Sequence, residues 1–204
     1  YCPRCGTALS SHEVAQGYKD VTEKSIVAKF ELIDRPGVYF LAWTTTPWTL
    51  PSNVALCMNA KEDYAEIESD GTRYILAKEL VEKHFDQYTI IEIKKGKDYE
   101  GLKYKPLFDF ASEQNAWFIT NDDYVTLTEG TGIVHIAPAF GEDDSRVGKK
   151  YNLPFVQLVN DRGLFVENTG YLQGKFVKDA DKDIIKDLKS RGLLFSEINY
   201  EHSY

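Results

Sequence analysis

Two short stretches of this sequence carry side chains that could do chemistry, and the first is WTTTPWTLPSN, from Trp43 to Asn53. Pro47 keeps Thr46 out of the right-handed helical region, and the same geometry suits Thr46 as an N-cap with Pro47 at the first helical position. Pro51 is expected to stop the turn that follows. The strand would then end in a corner whose hydroxyls and backbone N–H groups could hold an ester carbonyl, a ribose hydroxyl or a water. An edge strand with a capped turn is the structural alternative.

The second stretch is GTGIVHIAPAFGEDD, from Gly130 to Asp144. Alternation along the predicted strand places His135 on an otherwise apolar face. Pro138 ends the strand, and the three acids that finish the stretch open a helix that is expected to run to about Tyr151. A histidine satisfied within the core, and acids that stabilise a helix N-terminus, are the structural alternatives for these residues.

The two stretches could border one cavity, because hydroxyls at a strand end, a histidine on a strand face and an acid nine residues beyond it are compatible with a single site. The sequence has no nucleophile elbow, no phosphate-binding glycine-rich loop and no internal set of four metal ligands. A hydrolytic site built from these residues would position a water and let the substrate assist.

A third stretch, CPRCG, contains two thiols two residues apart, Cys2 and Cys5, which make half of a tetrahedral zinc site. Neither Cys57 nor His12 stands at a spacing that supplies the other half. We expect a half-site whose partner cysteines lie outside this chain. Reduced surface cysteines without a metal are the alternative.

The composition predicts one soluble domain, or one domain with a small appendage, because 204 residues with 43% apolar side chains can build a sizeable core. No apolar run approaches the length of a membrane span, so no membrane association is expected. The net charge of −8 predicts a surface that repels nucleic acid, so a nucleic-acid ligand would have to be held locally. Three cysteines cannot form a disulfide framework, which favours a reducing compartment.

The elements that must position these residues are predicted from hydrophobic periodicity, in which a period of two dominates. Strands are predicted at 25–33, 38–45, 53–58, 64–68, 72–77, 88–93, 116–120, 124–128, 132–137, 155–159 and 163–166. Helices are predicted at 77–85 and 179–191, besides the helix that opens at residue 142. Many short strands with a few helices predict a mainly β fold with flanking α-helices, in which an antiparallel sheet is curled or closed into a barrel.

The paired motifs resemble those of the editing domains of isoleucyl-, valyl- and leucyl-tRNA synthetases, the connective-peptide insertion of their class I catalytic domain. WTTTPWT is similar to the isoleucyl type, and the resemblance covers essentially all 204 residues. CPRCGTALSSHEVAQGY is similar to the entry strand of that insertion, where a second cysteine pair on the exit strand completes a zinc site. The resemblance implies an entry strand with half of a zinc knuckle at 1–17, an editing domain at 18–200 and the start of the exit strand at 201–204.

The resemblance implies hydrolysis of valyl-tRNA(Ile), with valyl-adenylate as a further candidate substrate, while isoleucyl-tRNA(Ile) is rejected. By the same resemblance, Asp144 pairs with the α-ammonium of the substrate. His135 crowds the side-chain pocket so that one methyl group more than valine does not fit, and Trp48 supplies an apolar wall.

The resemblance also implies which residues take part in catalysis, and Asp144 is counted among them. Thr44, Thr45 and Thr46 would contact the amino acid and the terminal ribose, with Thr46 helping to hold the attacking water, and Asn53 would position the ester or the water. No covalent intermediate, catalytic metal or cofactor is expected for editing, and the terminal ribose hydroxyl would relay the proton. Zinc at Cys2 and Cys5 is expected only in the full-length enzyme.

The partners implied are the terminal nucleotides of an isoleucine tRNA carrying valine and the remainder of the synthetase in cis, in the cytoplasm. Two alternatives stay open. A non-catalytic β module that docks RNA or protein would show a shallow surface around Thr45. A free-standing aminoacyl-tRNA deacylase is disfavoured by the incomplete zinc site at Cys2 and Cys5.

Overall fold

The computed structural model describes residues 7–16, 20–111 and 115–203, and this part of the chain forms one curled nine-stranded sheet with four α-helices around it. The strands are β1 (Asp20–Glu31), β2 (Val38–Thr44), β3 (Ala55–Met58), β4 (Asp63–Ser69), β5 (Thr72–Ala77), β6 (Thr89–Lys95), β7 (Phe118–Asn121), β8 (Ile133–Ile136) and β9 (Leu194–Ser203). The helices are α1 (Ser11–Gln16), α2 (Val81–His84), α3 (Glu142–Tyr151) and α4 (Val177–Ser190). Short 3-10 helices lie at Pro47–Ser52, Lys78–Leu80, Gly96–Tyr99 and Gly170–Leu172.

The sheet is mainly antiparallel, as predicted, and it also contains parallel pairs. Its strands follow the order β6-β4-β5-β2-β8-β3-β7, and β1 pairs with both β2 and β9. Strand β2 runs parallel to β5 and to β8, and β3 runs parallel to β7, whereas the other pairs are antiparallel. The parallel pairing of β2 with β8 places Trp43 opposite Val134, so the two sequence motifs end side by side.

The core lies under the curled sheet and extends to α4. Phe30, Phe40 and Tyr104 are fully buried in it, and Ile184 of α4 joins the same cluster. Each large side chain buried in this way contributes on the order of 1.5–3 kcal/mol to folding. Because α4 packs against the 3-10 helix at Pro47–Ser52, the core directly supports the corner after β2.

Four of the predicted elements differ in the structure. Residues 124–128 form no strand, because the backbone N–H of Tyr124 bonds to the Asp122 carboxylate in a turn that buries only Val125 of this segment. Residues 155–159 and 163–166 contribute only isolated bridges. The helix expected at 77–85 is shortened to a 3-10 turn followed by α2.

Strand β9 was not predicted as a whole. The exit strand expected from residue 201 is the end of β9, which begins at Leu194 and pairs antiparallel with β1. The predicted helix at 179–191 is observed as α4, and Gly192 follows it with a φ of 70°, which is the left-handed region that glycine adopts at helix C-termini. In the described part of the chain, no helix has both the length and the apolar character needed to cross a membrane.

Candidate active site

A cavity of about 260 Å³ opens where β2 and β8 end side by side. We call it the threonine cavity, and it is lined by Trp43, Thr44, Thr45, Thr46, Thr49, Val134, His135, Phe140 and Asp144. It therefore brings together the three consecutive threonines, the histidine and the acid that were singled out in the sequence.

The threonine hydroxyls form a connected polar cluster at the corner after β2. The Thr46 amide donates to Thr44 Oγ1 at 3.1 Å, and the Thr46 hydroxyl lies 3.3 Å from Thr49 Oγ1. Thr46 occupies the N-cap position, but its hydroxyl makes no capping bond and is turned towards the other hydroxyls instead. Pro51 does not stop the turn, because it fits within the 3-10 helix that continues to Ser52. Such a cluster can donate to or accept from a water or an ester oxygen.

Thr45 is the threonine that remains available to a ligand. It lines the cavity, and its hydroxyl has no hydrogen-bond partner within the part of the chain that the structure describes. The hydroxyls of Thr44 and Thr49, by contrast, are buried and engaged with their neighbours. The corner thus holds the hydroxyls of Thr44 and Thr49 in place and leaves the hydroxyl of Thr45 available to a ligand.

His135 forms a neutral wall of the cavity. Thr49 donates its hydroxyl proton to the carbonyl oxygen of Thr46 at 2.8 Å, so it accepts from His135 Nε2–H, also at 2.8 Å. His135 Nδ1 accepts from the Asn53 side-chain amide at 3.4 Å, which assigns the Nε2–H tautomer. Burial lowers the pKa of His135 to about 4. Because its lowered pKa makes the ring a weak base and both nitrogens are engaged, His135 is poorly suited to act as a general base.

Asn53 lies behind the cavity wall and does not line it. Its side chain is buried, with 7% exposure, and its amide donates to the carbonyl of Ala55 while its oxygen accepts from the Tyr104 hydroxyl. These partners leave Asn53 in contact with His135 and out of reach of a ligand in the cavity. The structure therefore gives Asn53 an indirect position, in contrast to the direct contact with ester or water that the resemblance implies.

Trp48 also stands one layer behind the cavity. Its ring packs edge-to-face on Phe140, a lining residue, with 5.0 Å between the ring centres. Its backbone N–H donates to Asp181 of α4 at 2.9 Å. Burial raises the pKa of Asp181 to about 6, against the lowering effect of that same hydrogen bond. Trp48 thus contributes to an apolar wall through Phe140.

Asp144, in the first turn of α3, directs its carboxylate towards the cavity. One oxygen accepts the backbone N–H of Ala137 at 2.8 Å, which fixes the side chain across the corner between β8 and the helix. Burial raises the pKa of Asp144, and the charge of Asp143 adds to this, whereas the Ala137 hydrogen bond opposes it. A cation bound in the cavity would lower that pKa again and gain a charge-assisted contact.

Several lining residues were not identified from the sequence. Thr49 is the most informative of them, because it joins the hydroxyl cluster to His135. The sequence signal that could have identified Thr49 is its position three residues after Thr46, across a turn that starts with proline. Phe140, Trp43 and Val134 are apolar lining residues whose types alone do not indicate a site.

The predicted zinc ligands Cys2 and Cys5 lie outside the described residues. Within the part that the structure describes, no group of three or more histidine, cysteine, aspartate and glutamate side chains could hold a metal ion. Cys57 is buried in β3 as a free thiol, and burial raises its pKa to about 12.

Comparisons with known proteins match the whole chain to part of isoleucine–tRNA ligases. It is 52% identical over 206 residues to an isoleucine–tRNA ligase of Clostridium novyi, 51% to that of Clostridium acetobutylicum and 48% to that of Picrophilus torridus. Each alignment covers 100% of this chain and 20% of the relative, so the chain spans about one fifth of the length of the curated relatives it matches. No family model matches.

Solved structures with the same fold come from leucyl-tRNA synthetases. A structure described as GlLeuRS-CP1 superposes with a TM-score of 0.69 at 15% identity, covering 83% of this chain and 97% of that one. The editing domain of the cytosolic leucyl-tRNA synthetase of P. knowlesi gives a TM-score of 0.64 at 12% identity, covering 89% and 97%. Over its whole length, therefore, this chain matches a segment of isoleucine–tRNA ligases, and its fold is that of a synthetase editing domain.

Proposed function

We propose that this chain hydrolyses valyl-tRNA(Ile) as the editing part of an isoleucine–tRNA ligase and rejects isoleucyl-tRNA(Ile). The observation that carries the proposal is the threonine cavity, in which a carboxylate, a set of hydroxyls and a fixed neutral histidine face one space of about 260 Å³. The similarity of the whole chain to isoleucine–tRNA ligases supports the same assignment.

Such a site compensates for a physical limit on how strongly one binding pocket can discriminate between similar amino acids. One methylene more or less in an apolar pocket changes binding by only about 1–3 kcal/mol, so a synthetic site that accepts isoleucine also admits valine at an appreciable rate. A second, smaller pocket can hydrolyse the wrong product if it is too small for the right one. The threonine cavity would be this second pocket, with His135 limiting its depth.

In the proposed mechanism each lining group has a distinct part. Asp144 binds the α-ammonium of the amino acid, and the hydroxyls of Thr45 and Thr46 bind the ester and the attacking water. Of the described residues lining the cavity, only His135 and Asp144 could act as bases. His135 is engaged at both nitrogens, and Asp144 is occupied by the ammonium. We therefore assign the proton relay to the ribose hydroxyl next to the ester.

The proposed partners are the terminal nucleotides of the tRNA and the rest of the synthetase. The net charge of −8 makes this chain a poor binder of a tRNA body, because close approach of phosphates would be repelled. The remainder of the enzyme would hold the tRNA and deliver its charged end to the cavity. The proposed setting is the cytoplasm.

The proposal is tested by blocking the amino group of the substrate. The intact enzyme should hydrolyse valyl-tRNA(Ile) at least about 100-fold faster than N-acetyl-valyl-tRNA(Ile), because only the free α-ammonium can pair with Asp144. The control is alkaline hydrolysis of both esters without enzyme, which gives their intrinsic lability. Equal enzymatic rates after this correction would show that no ammonium is recognised, and the proposal would fail.

Gly141, the residue before α3, is expected to be required for the position of Asp144. A Cβ built on Gly141 would lie 3.0 Å from Asp144 Oδ1 and 3.1 Å from its Cγ, closer than ordinary contacts. Its φ of −160° is open to any residue, so Gly141→Ala should fold normally and displace the carboxylate. We expect the rate of valyl-tRNA deacylation to fall about tenfold, since small displacements of a binding group are costly in catalysis. A crystal structure with an unmoved carboxylate, together with an unchanged rate, would contradict this prediction.

A further inference from the structure

Tyr104 lies in the middle of the core, where its hydroxyl has a single polar partner among the residues that the structure describes. The residue is fully buried, its ring packs edge-to-face on Phe30 with 5.3 Å between ring centres, and its hydroxyl donates to Asn53 Oδ1 at 2.5 Å. Burial raises the pKa of Tyr104 well above its usual range, so the hydroxyl keeps its proton. It is therefore a permanent donor to Asn53.

The orientation of the Asn53 amide follows from its two other partners. The carbonyl of Ala55 can only accept, so the amide nitrogen must face it, at 2.8 Å. The side-chain oxygen of Asn53 must then face Tyr104, whose hydroxyl supplies the donor it needs. The remaining N–H of the amide points at His135 Nδ1.

A directed series of hydrogen bonds thus runs from the core to the cavity. Tyr104 donates to Asn53, Asn53 donates to His135, and His135 donates through Nε2–H to Thr49. Thr49 in turn donates to the backbone carbonyl of Thr46. Asn53, His135 and Thr49 each accept on one side and donate on the other, so one tautomer of His135 satisfies all of them.

We propose that Tyr104 is a positioning residue for the editing site and that, through Asn53, it holds His135 in the single tautomer and ring position that define the floor of the cavity. Tyr104 does not line the cavity and would contact neither the amino acid nor the ribose. Its effect on selection between valine and isoleucine rests on the proposed function. Its effect on the histidine ring does not.

Without the Tyr104 hydroxyl, the Asn53 oxygen would be left buried without a donor. The Asn53 oxygen could then reach a donor only if the amide flipped and His135 took the Nδ1–H tautomer. The flipped oxygen would accept from His135, but it would also face the carbonyl oxygen of Ala55. Neither arrangement satisfies every group, so the ring should no longer hold one tautomer. A less fixed ring would admit a longer side chain into the cavity.

Tyr104→Phe tests this proposal because it removes one hydroxyl and keeps the ring. The matched control is Tyr64→Phe, which removes the hydroxyl of an equally buried tyrosine whose proton goes to the Gly132 carbonyl and not to Asn53. Both variants should lower the melting temperature, Tyr64→Phe at least as much as Tyr104→Phe, because the Tyr64 hydroxyl also accepts the backbone N–H of Asn59. Only Tyr104→Phe should lower the ratio of valyl- to isoleucyl-tRNA(Ile) deacylation in the intact enzyme, by about tenfold, the order expected for one hydrogen bond.

The second readout is the pair of ¹⁵N chemical shifts of the His135 ring, measured in this chain without substrate. Wild type and Tyr64→Phe should show the Nε2–H tautomer, and Tyr104→Phe should show a mixture. A single unchanged tautomer in Tyr104→Phe, or an equal loss of selectivity in both variants, would overturn the proposal. If the wild-type enzyme hydrolyses neither ester, the proposed function fails, and the ring shifts alone then decide whether Tyr104 sets the tautomer.

Discussion

Replacing Asp144 by asparagine should lower the rate of valyl-tRNA(Ile) deacylation by about 100-fold or more and leave the domain folded. The substitution keeps the shape of the side chain and its hydrogen bond from the Ala137 amide, so the corner between β8 and α3 is preserved. It removes the negative charge that would pair with the substrate ammonium inside a half-buried cavity. Loss of one partner from such a pair costs about 2–5 kcal/mol, which corresponds to this effect.

Asp143→Asn is the matched control, because it makes the same change in charge one residue away. Asp143 is exposed, pairs with Arg146 and does not line the cavity. Its replacement should change the rate by less than about threefold, as expected for a surface ion pair. If the two variants were equally active, or equally impaired, the effect could not be assigned to ammonium binding at Asp144.

The second large effect is expected for His135→Ala, which should make isoleucyl-tRNA(Ile) a substrate. Removal of the ring enlarges the cavity beside Val134 and Thr49, where the amino-acid side chain is expected to lie. The discrimination between valyl and isoleucyl esters should fall by about 10- to 200-fold, the range that one methylene can provide. Hydrolysis of the valyl ester should persist, because His135 is not assigned a proton-transfer step.

His84→Ala controls for the general loss of a half-buried histidine. His84 donates through Nε2–H to the carbonyl of Gly130 and lies outside the threonine cavity. Its replacement should leave the discrimination between the two esters unchanged. A His135→Ala enzyme that still rejected isoleucyl-tRNA(Ile) would remove His135 as the residue that limits the pocket.

The sequence predicted those parts of the site that depend on patterns of neighbouring residues. A proline after three threonines marks a strand end, and a proline followed by acids marks the junction between β8 and α3. That the two motifs share one cavity depends on the pairing of Trp43 with Val134 across ninety-one residues, which local patterns do not encode. The residue types were compatible with a single cavity, and the resemblance to editing domains assigned both motifs to one site.

The positions that sequence reasoning missed or placed differently depend on contacts between distant residues. The resemblance implied that Asn53 positions the ester or the water. Asn53 is instead held inward by Tyr104, which lies fifty-one positions further along the chain. Thr49 belongs to the site because His135 approaches it from β8. Strand β9 takes its strand form from pairing with β1, which lies far from it in the sequence.

The most direct test of the central claim is the deacylation of valyl- and isoleucyl-tRNA(Ile) in parallel by the wild-type enzyme under single-turnover conditions. A cavity that accepts valine and excludes isoleucine predicts release of valine at least about 100-fold faster than release of isoleucine. Single-turnover rates report the hydrolytic step itself and not product release. Equal rates for the two esters would contradict the assignment of the threonine cavity as a selective editing site.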